Sequence, residues 1–168
     1  PGDAGSDKAI FTGNPIRSEV TQGSRERGLF ITGIKGDRPV LLVYGGSQGA
    51  VALNQAVREH LEELLSFTDI VHLTGKGKEG PPNTDRRYYT AEFAHRDLPH
   101  LYAMTDVALS RSGAGAISEL AGNGIPAIFV PLPGLAQDHQ TANARVAEKW
   151  GGGTVLPQSD LQRGLVPA

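Results

Sequence analysis

At 168 residues, 39% of them hydrophobic and 20% charged, the chain has the size and composition of one ordinary globular domain rather than a disordered segment. A formal charge of −2 without any long basic run gives no electrostatic footprint for nucleic acid, and no apolar stretch approaches the ~20 residues that span a bilayer. With no cysteine, disulfides and thiolate-bound metals are excluded, a pattern that suits the cytoplasm.

The start, Pro1-Gly-Asp-Ala-Gly-Ser-Asp7, is polar, carries no secretory signal and lacks an initiating Met, so the chain reads as a piece of something longer. Gly13-Asn-Pro15 forms a turn. Residues 18–37 are polar with scattered apolar positions, which predicts an entry segment or linker outside the core. Residues 1–37 are accordingly assigned to the end of a preceding domain and an interdomain linker, 38–161 to one domain, and 162–168 to a frayed tail.

From residue 40 the pattern changes. Val40–Tyr44 is a continuous apolar run ending in Gly-Gly, the mark of a strand buried on both faces. Leu53, Val57, Leu61 and Leu64 then recur at helical spacing and predict one helix over 50–65. Residues 70–74 form a second strand, 75–87 a Gly/Pro/Lys-rich loop, and 88–93 a third strand. Pro99 suits the first turn of a short helix ending at Met104, and 107–110 return as a strand. Ser112–Ala116 is a small-residue turn opening a helix over 117–123, with Gly124 as its cap and Pro126 forbidding continuation. Residues 127–132 are a buried strand, 133–137 a loop, 138–150 a helix and 154–156 a last strand. Strands alternating with helices over short links mean parallel strands and right-handed crossovers: an α/β, Rossmann-like open parallel sheet.

In such sheets ligands bind beyond the C-terminal ends of the strands, where helix N-termini converge. That rule selects residues 45–50, 93–97, 111–119 and 133–140. Gly45-Gly-Ser-Gln-Gly-Ala50 can bring peptide N–H groups and the Ser47 hydroxyl to a phosphate, or be a tight turn without a ligand. It is neither a Walker loop nor a dinucleotide fingerprint. Arg111-Ser-Gly-Ala-Gly-Ala-Ile-Ser-Glu119 repeats the design, and two such turns at one crevice suit a diphosphate. Glu119 is either a charge favoured by the start of its helix or an acceptor for two ribose hydroxyls. Asp138 reads as an ordinary N-cap, while His139, Gln140 and Asn143 offer groups suited to sugar hydroxyls or are merely solvated. His72 and His60 are structural or surface residues; His95 and His100 stay open. Without a metal-binding triplet, no metal or cofactor is expected, and Arg17, Arg111 and Lys76 are the candidate cations for a departing diphosphate. Nothing resembles a hydrolase nucleophile elbow.

Four motifs occur in a compatible order. They are Gly13-Asn-Pro-Ile-Arg17; Gly45 to Ala50 with Asn54; Ser110-Arg-Ser-Gly-Ala114 with Glu119-Leu120; and Pro131-Leu-Pro133 leading to Asp138-His-Gln140 and Asn143-Ala-Arg145. Together they resemble the C-terminal domain of the MurG family, from about residue 13 to 161. The resemblance implies the C-terminal half of a two-domain GT-B glycosyltransferase, which passes GlcNAc from UDP-GlcNAc to lipid I with inversion, giving lipid II in peptidoglycan synthesis. It implies that Gly46, Ser47, Gln48 and Gly49 surround the diphosphate with Arg17 reaching in, that Ala94 and His95 lie in the uracil loop, and that Arg111, Gly113 and Ala114 form the second turn. Glu119 then holds the ribose, and His139, Gln140 and Asn143 face the sugar. Three departures stand out: Ala116 replaces a frequent Thr, His139-Gln140 replaces a Gln-Gln pair, and the segment 93–102 is one residue longer than in some relatives. The acceptor site and base are expected in a domain outside this chain, so the parent enzyme would sit on the cytoplasmic face of the inner membrane and this piece would be inactive alone. A stand-alone donor subunit of a split GlcNAc-transferase and a non-catalytic UDP-sugar-binding module are the alternatives.

Overall fold

In β1 (Val40–Tyr44), successive side chains leave the strand in opposite directions, and both directions lead into core. Val40 and Leu42 join one apolar cluster; Leu41 and Val43 join the other. Such a strand has no solvent face and must be covered by helices on both sides. The computed structural model describes residues 13–46, 50–134, 138–163 and 165. It places β1 third in a six-stranded, wholly parallel sheet with β2 (Asp69–Leu73), β3 (Tyr88–Ala91), β4 (Val107–Ser110), β5 (Ala127–Phe129) and β6 (Gly153–Val155), in the order β3-β2-β1-β4-β5-β6. β1 is flanked by the first crossovers of both halves, with Tyr44 in register with Leu73 on one side and Ser110 on the other. That is the doubly wound order, and its switch point lies between β1 and β4.

On one face pack α1 (Arg25–Thr32), α4 (Leu98–Met104), α5 (Ala114–Gly122) and α6 (His139–Lys149), through Leu101, Tyr102, Met104, Leu120 and Ala144. On the other pack α2 (Val51–Glu59), α3 (Leu61–Leu64) and a 3-10 segment, Gln158–Arg163, through Leu53, Val57, Leu64 and Leu161. The single helix expected over 50–65 is divided at His60, whose backbone (φ −106°, ψ 17°) leaves the helical region. The turn lets the adjacent Leu64 and Leu65 both enter the core. Asp138 precedes α6 in a left-handed conformation (φ 45°), and its side chain makes no capping bond, so it is not the ordinary N-cap its residue type suggests.

Residues 18–37 are a correction to the sequence reading. They are not peripheral: Val20 and Ile34 are buried in the same cluster as Leu42 and Phe129. α1 starts at Ser24, whose hydroxyl accepts from the Arg27 N–H, ends at Gly33 (φ 71°), and lies directly on α4. The contact is too close for side chains: a Cβ on Gly28 would stand 2.4 Å from the His100 carbonyl oxygen, and one on Gly23 would stand 1.8 Å from that of Pro99. The Ser24 N–H donates to His100 Nδ1 at 3.0 Å and Arg25 Nη1 to the Met104 carbonyl at 2.8 Å, so His100 is a tether between α1 and α4. His72, fully buried on β2, is likewise structural. Asn54 spends its amide N–H on the Thr74 carbonyl (2.9 Å), which leaves its Oδ1 to accept from His72 Nε2 (2.9 Å) and His72 Nδ1 to accept from the Tyr88 hydroxyl (2.8 Å). This chain of bonds fixes the neutral, Nε2-protonated ring. Among the described residues no helix is long and apolar enough to cross a membrane.

Candidate functional site

β1 and β4 run side by side and then part: β1 continues into Gly45-Gly46 toward α2, β4 into Arg111–Gly113 toward α5. The gap opened by these diverging links is a cleft of 660 Å³. Its walls are Tyr44, Gly45 and Gly46 from β1, Arg111, Gly113 and Ala116 from the β4–α5 turn, Ala50, Val51 and Ala52 from α2, and Leu132, Gln140 and Gln158 from the far side. A second cavity of 150 Å³, between Leu73, Glu92, Phe93, Ala94, His95 and Leu98, shares Tyr44 and Gly46 with it. The two therefore adjoin along the C-terminal edge of the sheet, in the size range of small-molecule sites.

Gly46 turns the corner between the compartments at φ 79°, a conformation that costs an L-residue with a side chain roughly 1–2 kcal/mol. Ser47, Gln48 and Gly49 lie outside the described residues. In the smaller compartment Ala94 begins the 3-10 turn His95–Asp97 and accepts the Asp97 N–H at 2.7 Å. His95 is itself left-handed (φ 41°), and its ring lies tilted at 5.5 Å from that of Phe93. The segment expected to form a strand to residue 93 leaves the sheet after Ala91, which frees 92–95 to line this compartment.

At the second turn Gly113 occupies the N-cap of α5 and Ala114 its first, exposed position. The free N–H groups of this helix end face the cleft side of the sheet and carry the positive end of the helix dipole. Arg111 lines the cleft but turns its guanidinium donors into the fold. Only 7% exposed, it donates through Nη1 to the carbonyls of Val130 (3.0 Å) and Pro131 (3.2 Å) and through Nη2 to Gln158 Oε1 (2.6 Å). Desolvation lowers its pKa, yet a guanidinium keeps its proton throughout the ordinary range. It ties the end of β5 and the 3-10 segment to the cleft wall as a charged strut. The Ser112 hydroxyl, fully buried beside it, has no hydrogen-bond partner among the described residues.

Glu119 lies in the second turn of α5, beyond the first turn where a helix dipole acts, so the dipole explanation fails for it. Its Oε2 accepts instead from the Tyr102 hydroxyl at 2.9 Å. Tyr102 is 1% exposed; burial pushes its phenol up, and the neighbouring Tyr44 and Glu119 add to that. Burial pushes the Tyr44 phenol up, the charge of Glu119 adds to that, and Arg17 opposes it, which places the exposed Arg17 in electrostatic reach of the cleft wall. Gln140 accepts the Leu132 N–H at 3.0 Å and lines the cleft, while Asn143 donates to the Ser112 carbonyl at 3.3 Å, locking α6 to the β4–α5 turn. His139 is exposed at the start of α6, and Lys76 is exposed on the 75–87 loop.

The ionisable groups among the cleft's lining residues are Tyr44 and Arg111. The first holds its proton more tightly than usual and the second never loses it, so this lining binds and orients but does not exchange protons near neutral pH. Tyr44, Tyr102 and Gln158 were not among the site residues expected from sequence. Tyr44 and Tyr102 occupy positions that read as apolar core; Tyr44 lines the cleft and the Tyr102 hydroxyl reaches Glu119.

A family model described as the glycosyltransferase family 28 C-terminal domain matches residues 40–168. The chain is 40% identical over 158 residues to a Geobacillus kaustophilus protein named UDP-N-acetylglucosamine--N-acetylmuramyl-(pentapeptide) pyrophosphoryl-undecaprenol N-acetylglucosamine transferase. It is also 40% identical over 157 residues to a Bacillus cereus protein with the same name and the number 2. These alignments cover 93% and 92% of this chain but 44% and 45% of the relatives, so the chain spans less than half of their length. Among solved structures, the crystal structure of Acinetobacter baumannii MurG matches with a TM-score of 0.66 and 26% identity, over 92% of this chain and 45% of that one.

Proposed function

Because the chain belongs to glycosyltransferase family 28, whose C-terminal domain it matches over residues 40–168, we propose that it is the donor-binding half of an inverting GlcNAc transferase and that its cleft holds UDP-GlcNAc. The observation that carries this reading is the pair of adjoining compartments at the β1/β4 switch point, which share Tyr44 and Gly46. Uracil fits the narrower compartment at Ala94 and His95, where peptide groups of an irregular segment can read a base edge. The diphosphate goes to Gly46, Ser47, Gln48 and Gly49 and to the α5 N-terminus at Gly113 and Ala114, with Arg17 reaching in. The ribose hydroxyls go to Glu119, and the sugar to His139 and Gln140, with Asn143 holding their helix in place.

In the transfer, a hydroxyl of the lipid-linked acceptor attacks C1 of GlcNAc as the C1–O bond to UDP breaks. Negative charge then grows on the departing diphosphate. Helix N–H groups already fixed at that position stabilise it without reorganising, which is the efficient way to lower such a barrier. The acceptor and the base that takes its proton are assigned to the part of the relatives' length that this chain does not span. Residues 1–37 remain a proposed linker to that part, with 18–37 packed on the donor domain. The parent enzyme is proposed to work at the cytoplasmic membrane face, on lipid I.

Calorimetry with UDP, UDP-GlcNAc, GDP and ADP tests the proposal. Selective binding of the two uridine ligands, with no GlcNAc turnover by the chain alone, is the expected result. Equal affinity for all three diphosphates, or none for any, refutes it.

A further inference from the structure

We propose that Tyr102 is a positioning residue for nucleotide binding: its buried hydroxyl holds the Glu119 carboxylate in the one orientation that can receive the ribose hydroxyls. The inference rests on the assignment of Glu119 as the ribose acceptor. It begins with proton counting. An ionised carboxylate only accepts, so the 2.9 Å contact between Tyr102 and Glu119 Oε2 uses the Tyr102 proton. Donation therefore runs from Tyr102 in the core to Glu119 on α5.

Oε2 of Glu119 is thereby tethered to an immobile ring, 1% exposed and packed between α4 and the sheet, which leaves Oε1 as the free acceptor. A structural role alone explains the arrangement poorly. A buried phenol needs one acceptor, and a backbone carbonyl would serve. Here the acceptor is the end of a half-buried Glu with no cation within salt-bridge distance among the described residues. Holding a flexible, charged side chain still has a cost in rotamer freedom, and that cost is recovered when the side chain must be ready for a ligand.

The test uses the whole 168-residue chain and two probes, UDP and 2′,3′-dideoxyuridine diphosphate, which lacks both ribose hydroxyls. Glu119→Ala should weaken UDP and leave the dideoxy probe unchanged. If it does not discriminate, the ribose assignment itself fails, and the proposal with it. Given that discrimination, Tyr102→Phe should weaken UDP by about three- to tenfold, the ordering cost of one mobile side chain, again without affecting the dideoxy probe. In the Glu119→Ala background it should add nothing. Equal losses for both probes, or no loss for either, would show that the hydroxyl serves packing and overturn the proposal while leaving Glu119's role intact. Failure of Tyr102→Phe to fold under conditions where Glu119→Ala folds would overturn it as well.

Discussion

Acidifying the chain from pH 7 to 4.5 should cost its fold about 2.5 kcal/mol through His72 alone. Burial, reinforced by the positive charge of Arg58, lowers this imidazole from 6.5 to about 3. In the folded state the ring stays neutral because Nδ1 is occupied as an acceptor by the Tyr88 hydroxyl and no solvent reaches it. The unfolded chain takes up a proton near pH 6.5; the folded chain does not until about 3. Between those values the unfolded state binds more protons, so stability is full above the unfolded value and falls as pH drops through the window. At pH 4.5 the unfolded ring is about 99% protonated, and the penalty depends little on whether the folded value is 3 or 4, which makes the figure robust. Urea unfolding followed by circular dichroism at pH 7 and 4.5, on the native chain and on His72→Gln, isolates the effect. The other four histidines are common to both proteins and cancel in the difference. The native chain should lose about 2.5 kcal/mol more than the variant over this interval. Identical losses would mean that the His72–Asn54–Tyr88 network accepts a proton without opening, and the neutral tautomer derived above would be wrong.

Three substitutions probe other parts of the account. Gly28→Ala puts a methyl group 2.4 Å from the His100 carbonyl and should destabilise by about 1–3 kcal/mol, read as a drop in thermal midpoint without change in UDP affinity. Arg111→Met removes the donors of two buried carbonyls and of Gln158; it should lower stability by several kcal/mol at most, roughly 1–3 per orphaned group, and weaken UDP because the cleft wall loses its strut. A variant with native stability and lost binding would instead make Arg111 a direct phosphate ligand. Gly46→Ala forces a side chain into φ 79°, at roughly 1–2 kcal/mol, and should weaken UDP more than it lowers the thermal midpoint.

The strands were legible because a doubly covered sheet demands continuous apolar runs, and Val40–Tyr44 and Val107–Ser110 stand where the runs place them. The location of the site was legible too, since glycine turns after such strands mark the carboxyl edge. α1 was not. Its contact with α4 is made by the absence of side chains at Gly23 and Gly28, and close backbone approach leaves no apolar periodicity to read. Arg111 was legible as a cation at the site but not as one turned inward, because its partners are carbonyls of the segment just after β5, some twenty residues away. The Tyr102–Glu119 bond joins α4 to α5. Spacing along the chain carries no trace of such a contact.

The most direct test of the donor-site account is an amide-resolved NMR titration of the chain with UDP. The account predicts shifts concentrated on residues 44–50, 93–95, 111–114 and Glu119, with Pro-flanked Val40, Thr68 and Asp106 at the opposite edge of the sheet unmoved. Shifts centred on that opposite edge, or spread evenly over the domain, would contradict it.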